Sequence, residues 1–443
     1  MKTILSYQSK TISGEISGFP DKSISHRSII FSSLAKGNSR ITGLLNSEDV
    51  INTIDCFKTL GVSIVKQNED YIVDSKGFYS FSKKEDDFYM GNSGTSCRLI
   101  AGILSGVEGK ISTITGDASL MNRPMARIIK PLSQMGANIN HNENKLPLEI
   151  IGTQLQGINC KLEIPSAQVK SAILLGGLFA KGQTTIIETE FSRDHTENML
   201  KNIGVDIDVD ISNNKKIITL NNNQKELKPS NYVIPNDFSS ASFFIALALI
   251  TPNSKIIIKN LNLNPLRTGF LSVLLEMGAK IEILNSNELQ GELVGDLQVE
   301  SSNLVGIKVD PKLVPSMIDE FPILSVVACF AKGKTDFNGV GELRHKESDR
   351  ISSMVHNLNK LGVKLEEKEE SLVIHGNMND LQGGVVIESF LDHRIAMSFL
   401  VLGSRCREPL EVRGCDSIAT SFPNFFDVAK SVGLNLTIVN GDI

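Results

Sequence analysis

Residues 50–74 read VINTIDCFKTLGVSIVKQNEDYIVD, and this stretch decides the fold. Val50, Ile51, Ile54, Phe57 and Leu60 recur at helical spacing, so an amphipathic helix buries that face. Gly61 follows as a left-handed C-cap, and from Val62 the pattern alternates as a strand does. The same hydrophobic-Gly-small step returns at Met135-Gly136-Ala137, Ile203-Gly204-Val205, Met277-Gly278-Ala279, Leu361-Gly362-Val363 and Val432-Gly433-Leu434. The glycines are 75, 68, 74, 84 and 71 residues apart, which marks one repeat running through the chain.

Each repeat holds a second helix that is apolar nearly all round, such as SCRLIAGILSG, VKSAILLGGLFAKG or FPILSVVACFAKG, and such helices belong inside a core. The unit is therefore buried helix, strand, amphipathic helix, strand or hairpin. Six copies make two α/β domains of three if each domain is a closed threefold arrangement. The polar run-ins to the buried helices read DKSISHR (21–27), GNSGTSCR (91–98), SAQVKS (166–171), NDFSSAS (236–242), SMIDEFP (316–322) and LDHRIA (391–396). Four follow Pro20, Pro165, Pro235 or Pro315, and Asp, Asn or Ser is the expected N-cap. Helix N-termini carry unsatisfied N–H groups and about half a positive charge each, so starts that converge form an anion site.

Composition agrees with two cores. The 443 residues exceed what one core supports, and at 41% hydrophobic, 21% charged and net charge -5 the chain is neither a disordered protein nor a basic nucleic-acid binder. Its longest apolar run, Phe243 to Ile250, is far shorter than the ~20 residues of a membrane span. MKTILSYQSK has neither the apolar stretch of a signal peptide nor the character of a transit peptide, so the mature chain is expected to begin near Met1 in the cytoplasm. Cys56, Cys97, Cys160, Cys329, Cys406 and Cys415 lie scattered, without disulfide-framework or zinc-ligand spacing.

The chemistry gathers at the helix starts. Lys22, Ser23, His26 and Arg27 occupy the first turn and a half of one helix; NSGT (92–95) is a turn whose N–H groups suit an anion, with Arg98 nearby. NRPMAR (122–127) places Arg123 just before a proline-started helix, SAQ (166–168) supplies hydroxyl and amide donors, and SRDHTEN (192–198) adds Arg193. Taken singly, each reads as a cap or a surface ion pair. Together they put polar or cationic groups at one repeat position several times, which capping alone does not require. The second half carries acids: Asp319 and Glu320 at an apolar helix start, Lys346, Glu347 and Arg350 in HKESDR, and Asp392-His393-Arg394. A carboxylate flanked by cations serves as general acid or base if its site is dry. His26 and His393 read as structural donors.

Other signatures fail. Gly333-Lys334-Thr335 mimics the end of a P-loop, but the required earlier glycine is Ala328. Nucleophile-elbow, HExxH and GxGxxG patterns are absent. No cofactor and no metal are implied.

In the order in which they stand, DKSISHR, GNSGT-CR, the RPM of 123–125, SAQVKSA, SRDHTE, the DE-P of 319–322, LRHKESDR and DHRIAM resemble the motifs of the 3-phosphoshikimate 1-carboxyvinyltransferases, or EPSP synthases, along the whole chain. The resemblance implies two similar domains, each of three βαβαββ repeats, in an inside-out barrel-like arrangement. It puts residues 1–20 plus 237–443 in one domain and 21–236 in the other, with the active site in the cleft between them. It implies a shikimate 3-phosphate set of Lys22, Ser23, Arg27, Ser166, Ala167, Gln168, Arg193, Asp319 and Lys346. The implied phosphoenolpyruvate set is Lys22, Asn92, Gly94, Arg123, Gln168, Arg350 and Arg394. Asp319, Glu347 and Lys22 are the implied catalytic residues, in a monomer acting on small molecules and on neither nucleic acid nor membrane. Two positions depart from the pattern: Thr420 where many members have Lys, and Leu99 where others have Pro, while Gly94 is the small residue of inhibitor-sensitive members. A UDP-N-acetylglucosamine enolpyruvyl transferase is the nearest alternative, but that family's loop cysteine has no counterpart in GDASLMNRPMAR (116–127). A non-catalytic anion-binding scaffold would need the cations but neither Asp319 nor Glu347.

Overall fold

The computed structural model describes residues 2–221 and 226–439. All six glycines of the repeated step have positive φ, from 72° at Gly362 to 100° at Gly433, a conformation that costs glycine little and other residues more. Each ends an amphipathic helix and hands the chain to a strand: Ser63–Gln67, Asn138–Asn142, Ile207–Ser212, Lys280–Leu289, Lys364–Lys368 and Leu436–Val439.

The repeat builds one kind of sheet. In the clearest copy, strand Asp86–Tyr89 runs parallel to Ile111–Thr115, which pairs antiparallel with Lys145–Ile151, itself paired with Asn138–Asn142. The helix Gly94–Gly106 makes the parallel crossover. The same order recurs in Asn159–Lys161, Thr184–Glu188, Lys215–Leu220 and Ile207–Ser212. Three copies take a strand from a distant part of the chain. Tyr232–Val233 completes the sheet of Lys36–Thr42, Ser13–Ile16 completes that of Lys255–Asn262, and Thr3–Ser6 pairs antiparallel with Leu436–Val439.

The chain divides into two compact units, one of residues 1–19, 235–287 and 293–443, the other of residues 20–234 and 288–292. Each has its own hydrophobic core. In the first, helices Phe238–Ile250, Phe321–Cys329 and His393–Gly403 touch one another at the centre, and every residue of Phe238–Ile250 except Ser240 is buried. In the second, Gly94–Gly106 and Ala167–Gly177 approach so closely that a Cβ on Gly102 would lie 2.2 Å from the Ala172 carbonyl oxygen. No helix among the described residues is long and apolar enough to cross a membrane.

Five of the six buried helices carry a side-chain cap: Asp21, Ser93, Ser166, Asp237 and Asp392 each accept from a first-turn N–H. Two expected helix starts are corrected. The fifth buried helix does not open after Pro315, which lies within the short helix Val314–Met317; it opens at Phe321, with Pro322 in its first turn. Proline is favoured there because it has no N–H to leave unsatisfied. Arg123 follows the short helix Ala118–Met121, and the next helix starts at Ala126 rather than at Pro124.

Candidate active site

In the unit of residues 20–234, the cations sit at helix starts and rest largely on neutral groups. Lys22 opens the helix Lys22–Leu34, and its Nζ lies 2.9 Å from the Asp49 carboxylate. Arg27, one turn on and buried, donates from Nε to the Thr196 hydroxyl at 2.8 Å, from Nη2 to Ser171 at 2.9 Å and from Nη1 to the Ser23 carbonyl at 3.0 Å. Burial pushes this guanidinium down to about 10, with the charge of Arg193 adding to the effect and Glu197 and Asp21 opposing it; it remains cationic at neutral pH. His26 lies between these cations, its Nδ1 2.8 Å from the Thr53 hydroxyl. Burial first, then the charges of Lys22 and Arg27, hold it well below the ordinary histidine range, so it is neutral.

Gly94 is the focus of the next pair. A Cβ there would meet Arg98 Nη1 at 2.6 Å and Arg123 Nη1 at 3.2 Å, so two guanidinium groups close on a bare helix start. Arg98 donates to Gln168 Oε1 at 2.6 Å, and Gln168 in turn donates to Thr95 at 3.0 Å. Arg123 donates to Asn92 Oδ1 at 2.6 Å, and Asn92 donates to Asp117 at 2.7 Å. Ser166 caps the helix that begins at Ala167, whose carbonyl accepts from Ser171 at 2.6 Å. The structure thus brings Lys22, Ser23 and Arg27 onto one helix start, links Arg27 through Ser171 to the Ala167 helix, and joins Gly94 to Gln168 through Arg98, with the bonded pair Arg123 and Asn92 beside Gly94. Arg193 lies in the half-buried run-in to helix His195–Asn202.

The other unit holds its cations with carboxylates. Arg350, fully buried, donates from Nε to Asp392 at 2.9 Å and from Nη2 to Glu347 at 2.6 Å. Its Nη1 makes no hydrogen bond among the described residues and lies 3.5 Å from Asp319 Oδ1. Burial works against the charge, but Asp392, Glu347 and Asp319 outweigh it and raise Arg350 above its ordinary range. Burial likewise works against Asp392, yet the Arg350 guanidinium keeps its carboxyl below the usual carboxylate range. Lys346 Nζ is 4.0 Å from Asp319, and Arg394 donates to the Asp319 carbonyl at 3.1 Å. Thr420 donates to the Ser417 carbonyl at 2.7 Å.

Of three further participants, only Ser239 lies in one of the polar run-ins, NDFSSAS (236–242). Asp49, Arg267 and Ser239 stand far from the motifs they join, and only folding sets Asp49 against Lys22 or Arg267 against Glu320. Among the described residues, no group of three or more His, Cys, Asp or Glu is placed to hold a metal ion. All six cysteines are free, and burial raises every thiol, Cys97 to about 11. Such thiols are poor nucleophiles.

The family model described as EPSP synthase (3-phosphoshikimate 1-carboxyvinyltransferase) matches residues 6–429. A 3-phosphoshikimate 1-carboxyvinyltransferase of Magnetococcus marinus is 46% identical over 442 residues, covering 99% of this chain and 98% of its own. One from Thermodesulfovibrio yellowstonii is 47% identical over 427 residues, with coverage of 96% and 98%. A solved structure of EPSP synthase from Acinetobacter baumannii has a TM-score of 0.87 at 40% identity, covering 99% of this chain and all of that one.

Proposed function

The chain belongs to the EPSP synthase family, and we propose that the two groups of side chains described above carry out that family's reaction together. The enolpyruvyl group of phosphoenolpyruvate passes to the 5-hydroxyl of shikimate 3-phosphate and inorganic phosphate leaves, a step of the shikimate pathway to the aromatic amino acids.

Both groups serve one substrate pair. Lys22, Ser23, Arg27, Ser166, Ala167, Gln168 and Arg193, with Asp319 and Lys346, receive shikimate 3-phosphate. Lys22, Asn92, Gly94, Arg123, Gln168, Arg350 and Arg394 receive phosphoenolpyruvate. Desolvating two phosphates and two carboxylates is tolerable only against fixed cations and helix N-termini. Arg suits the bidentate contacts and Lys the point charge.

Asp319 takes the proton of the 5-hydroxyl as that oxygen attacks C2 of phosphoenolpyruvate. Glu347, with Lys22 assisting, delivers a proton to the methylene carbon. Return of a proton from the resulting methyl group to Glu347 and cleavage of the C2–O bond to phosphate, which leaves with the proton held by Asp319, then restore the double bond. Fixed charges and positioning carry the catalysis.

The observation that carries this reading is the division of Arg350: Nε on Asp392, Nη2 on Glu347, and Nη1, without a hydrogen bond among the described residues, 3.5 Å from Asp319. One buried cation orients both reacting acids and keeps one nitrogen for an incoming anion. Phosphate release from phosphoenolpyruvate, with shikimate 3-phosphate in one tube and UDP-N-acetylglucosamine in another, tests it. Release with shikimate 3-phosphate alone is expected. Release with the sugar nucleotide alone overturns the acceptor assignment, and release with neither returns the chain to an anion-binding scaffold.

A further inference from the structure

The steps above use neither Glu320 nor Arg267, yet Glu320 is fully enclosed and Arg267 only 3% exposed. Glu320 stands directly before helix Phe321–Cys329, where a polar side chain ordinarily caps first-turn N–H groups. It makes no cap bond, and Pro322 has no N–H to offer. Its carboxylate turns elsewhere. Both oxygens lie 3.1 Å from Arg267 Nη1, and Oε1 also accepts from the Ser239 hydroxyl. Ser239 in turn accepts from Arg394 Nη1, the nitrogen that also donates to the Asp319 carbonyl.

The direction of every bond in this chain is fixed. A guanidinium only donates and an ionised carboxylate only accepts, so Ser239 must give its one proton to Glu320 and turn a lone pair to Arg394. Backbone packing holds the same arrangement. A Cβ on Gly269 would lie 2.1 Å from Ser316 Oγ and 3.0 Å from the Leu313 carbonyl oxygen, so the segment after Arg267 is pressed against the run that leads into Asp319 and Glu320. Apolar residues of similar volume would fill the space without the desolvation cost of a buried ion pair. What the charges add is orientation.

We propose that Arg267 and Glu320 are a positioning pair for phosphoenolpyruvate. Through Ser239 they aim the Arg394 guanidinium, and through the backbone at 319–320 they fix the carbonyl that Arg394 also holds. This rests on the reading that places Arg394 at phosphoenolpyruvate. Neither member of the pair touches substrate.

The test uses the full chain, with Glu320→Gln as the isosteric variant and the double variant Arg267→Met/Glu320→Met as a neutral replacement should the single change fail to fold. KM for each substrate and kcat are measured separately, alone and combined with Arg394→Lys. The expected result is a roughly tenfold rise in KM for phosphoenolpyruvate, clearly larger than any change in KM for shikimate 3-phosphate, which Asp319 also meets. Combined with Arg394→Lys, the change at 320 adds nothing further, since both act through one group. A wild-type KM for phosphoenolpyruvate in the folded variant, while Arg394→Lys raises it, overturns the pair. An equal rise for both substrates also overturns it, since that is what a general loss of structure gives. If Arg394→Lys itself leaves KM for phosphoenolpyruvate unchanged, the underlying assignment fails and the pair with it.

Discussion

Arg27 and Arg350 are both buried near helix starts, one in each unit, and they are held by opposite chemistry. Arg27 rests on two hydroxyls and a carbonyl; Arg350 rests on the carboxylates of Asp392 and Glu347 with Asp319 close by. Burial lowers the first to about 10, while the acids around the second raise it. A guanidinium on neutral oxygens keeps its charge for an arriving anion. One wrapped in carboxylates uses its charge to hold acids in place. In the function proposed above, this contrast corresponds to phosphate reception by Arg27 and to a second duty for Arg350, which holds the reacting acids as well as meeting phosphoenolpyruvate.

The sharpest way to break this contrast is to remove each guanidinium. Arg350→Met leaves the fully buried Asp392 without its cation, and such a loss costs about 3–5 kcal/mol. Arg27→Met strands nothing charged, because Ser171 and Thr196 remain bonded to each other at 2.6 Å, and its cost is about 1 kcal/mol. Urea unfolding of both variants checks the difference. Equal destabilisation would dissolve the distinction between the two settings.

A smaller effect is expected at Gly94. In Gly94→Ala the new methyl pushes on the guanidinium ends of Arg98 and Arg123, both at flexible tips, so KM for phosphoenolpyruvate rises roughly tenfold while the melting temperature stays put. A wild-type KM would mean that these two arginines do not meet the substrate there.

The smallest effect is a pH slope. The native value of His26 is lowered from 6.5 by burial and by Lys22 and Arg27. Above the unfolded value of 6.5, His26 is neutral in both the folded and unfolded chain. As pH falls below it, the unfolded chain takes a proton that the native chain refuses. Stability is therefore full above the unfolded value and declines towards the lowered native one, by at most about 1.4 kcal/mol per pH unit. His26→Asn removes that share, so urea midpoints between about pH 7.5 and 5.5 should fall less in the variant than in the parent. Parallel slopes would show that the positive field around His26 is weaker than described.

The repeat was legible because a glycine in the left-handed region after an amphipathic helix is a local signal, and all six positions carry it. What escaped was non-local. The strands Ser13–Ile16, Tyr232–Val233 and Thr3–Ser6 complete sheets begun elsewhere in the chain, and no window of sequence shows a pairing across such distances. The start at Phe321 was misplaced because Pro315 and Pro322 give the same cue, and packing decides between them. Within the site, Asp319, Glu347 and Arg350 stood out as charges at polar helix starts, and folding gathers both acids within 4 Å of that guanidinium. Ser239 and Arg267 carry no such mark, since their roles come from what Glu320 does once buried.

The most direct test of the division of labour measures shikimate 3-phosphate affinity and saturated turnover side by side in Arg27→Met and Glu347→Gln. The account predicts opposite losses. Arg27→Met weakens binding by at least about tenfold, as loss of a charge-assisted phosphate contact should, yet turns over when saturated. Glu347→Gln binds like the parent while turnover falls by about 10²–10⁴. Matching losses of affinity and turnover in both variants would contradict it.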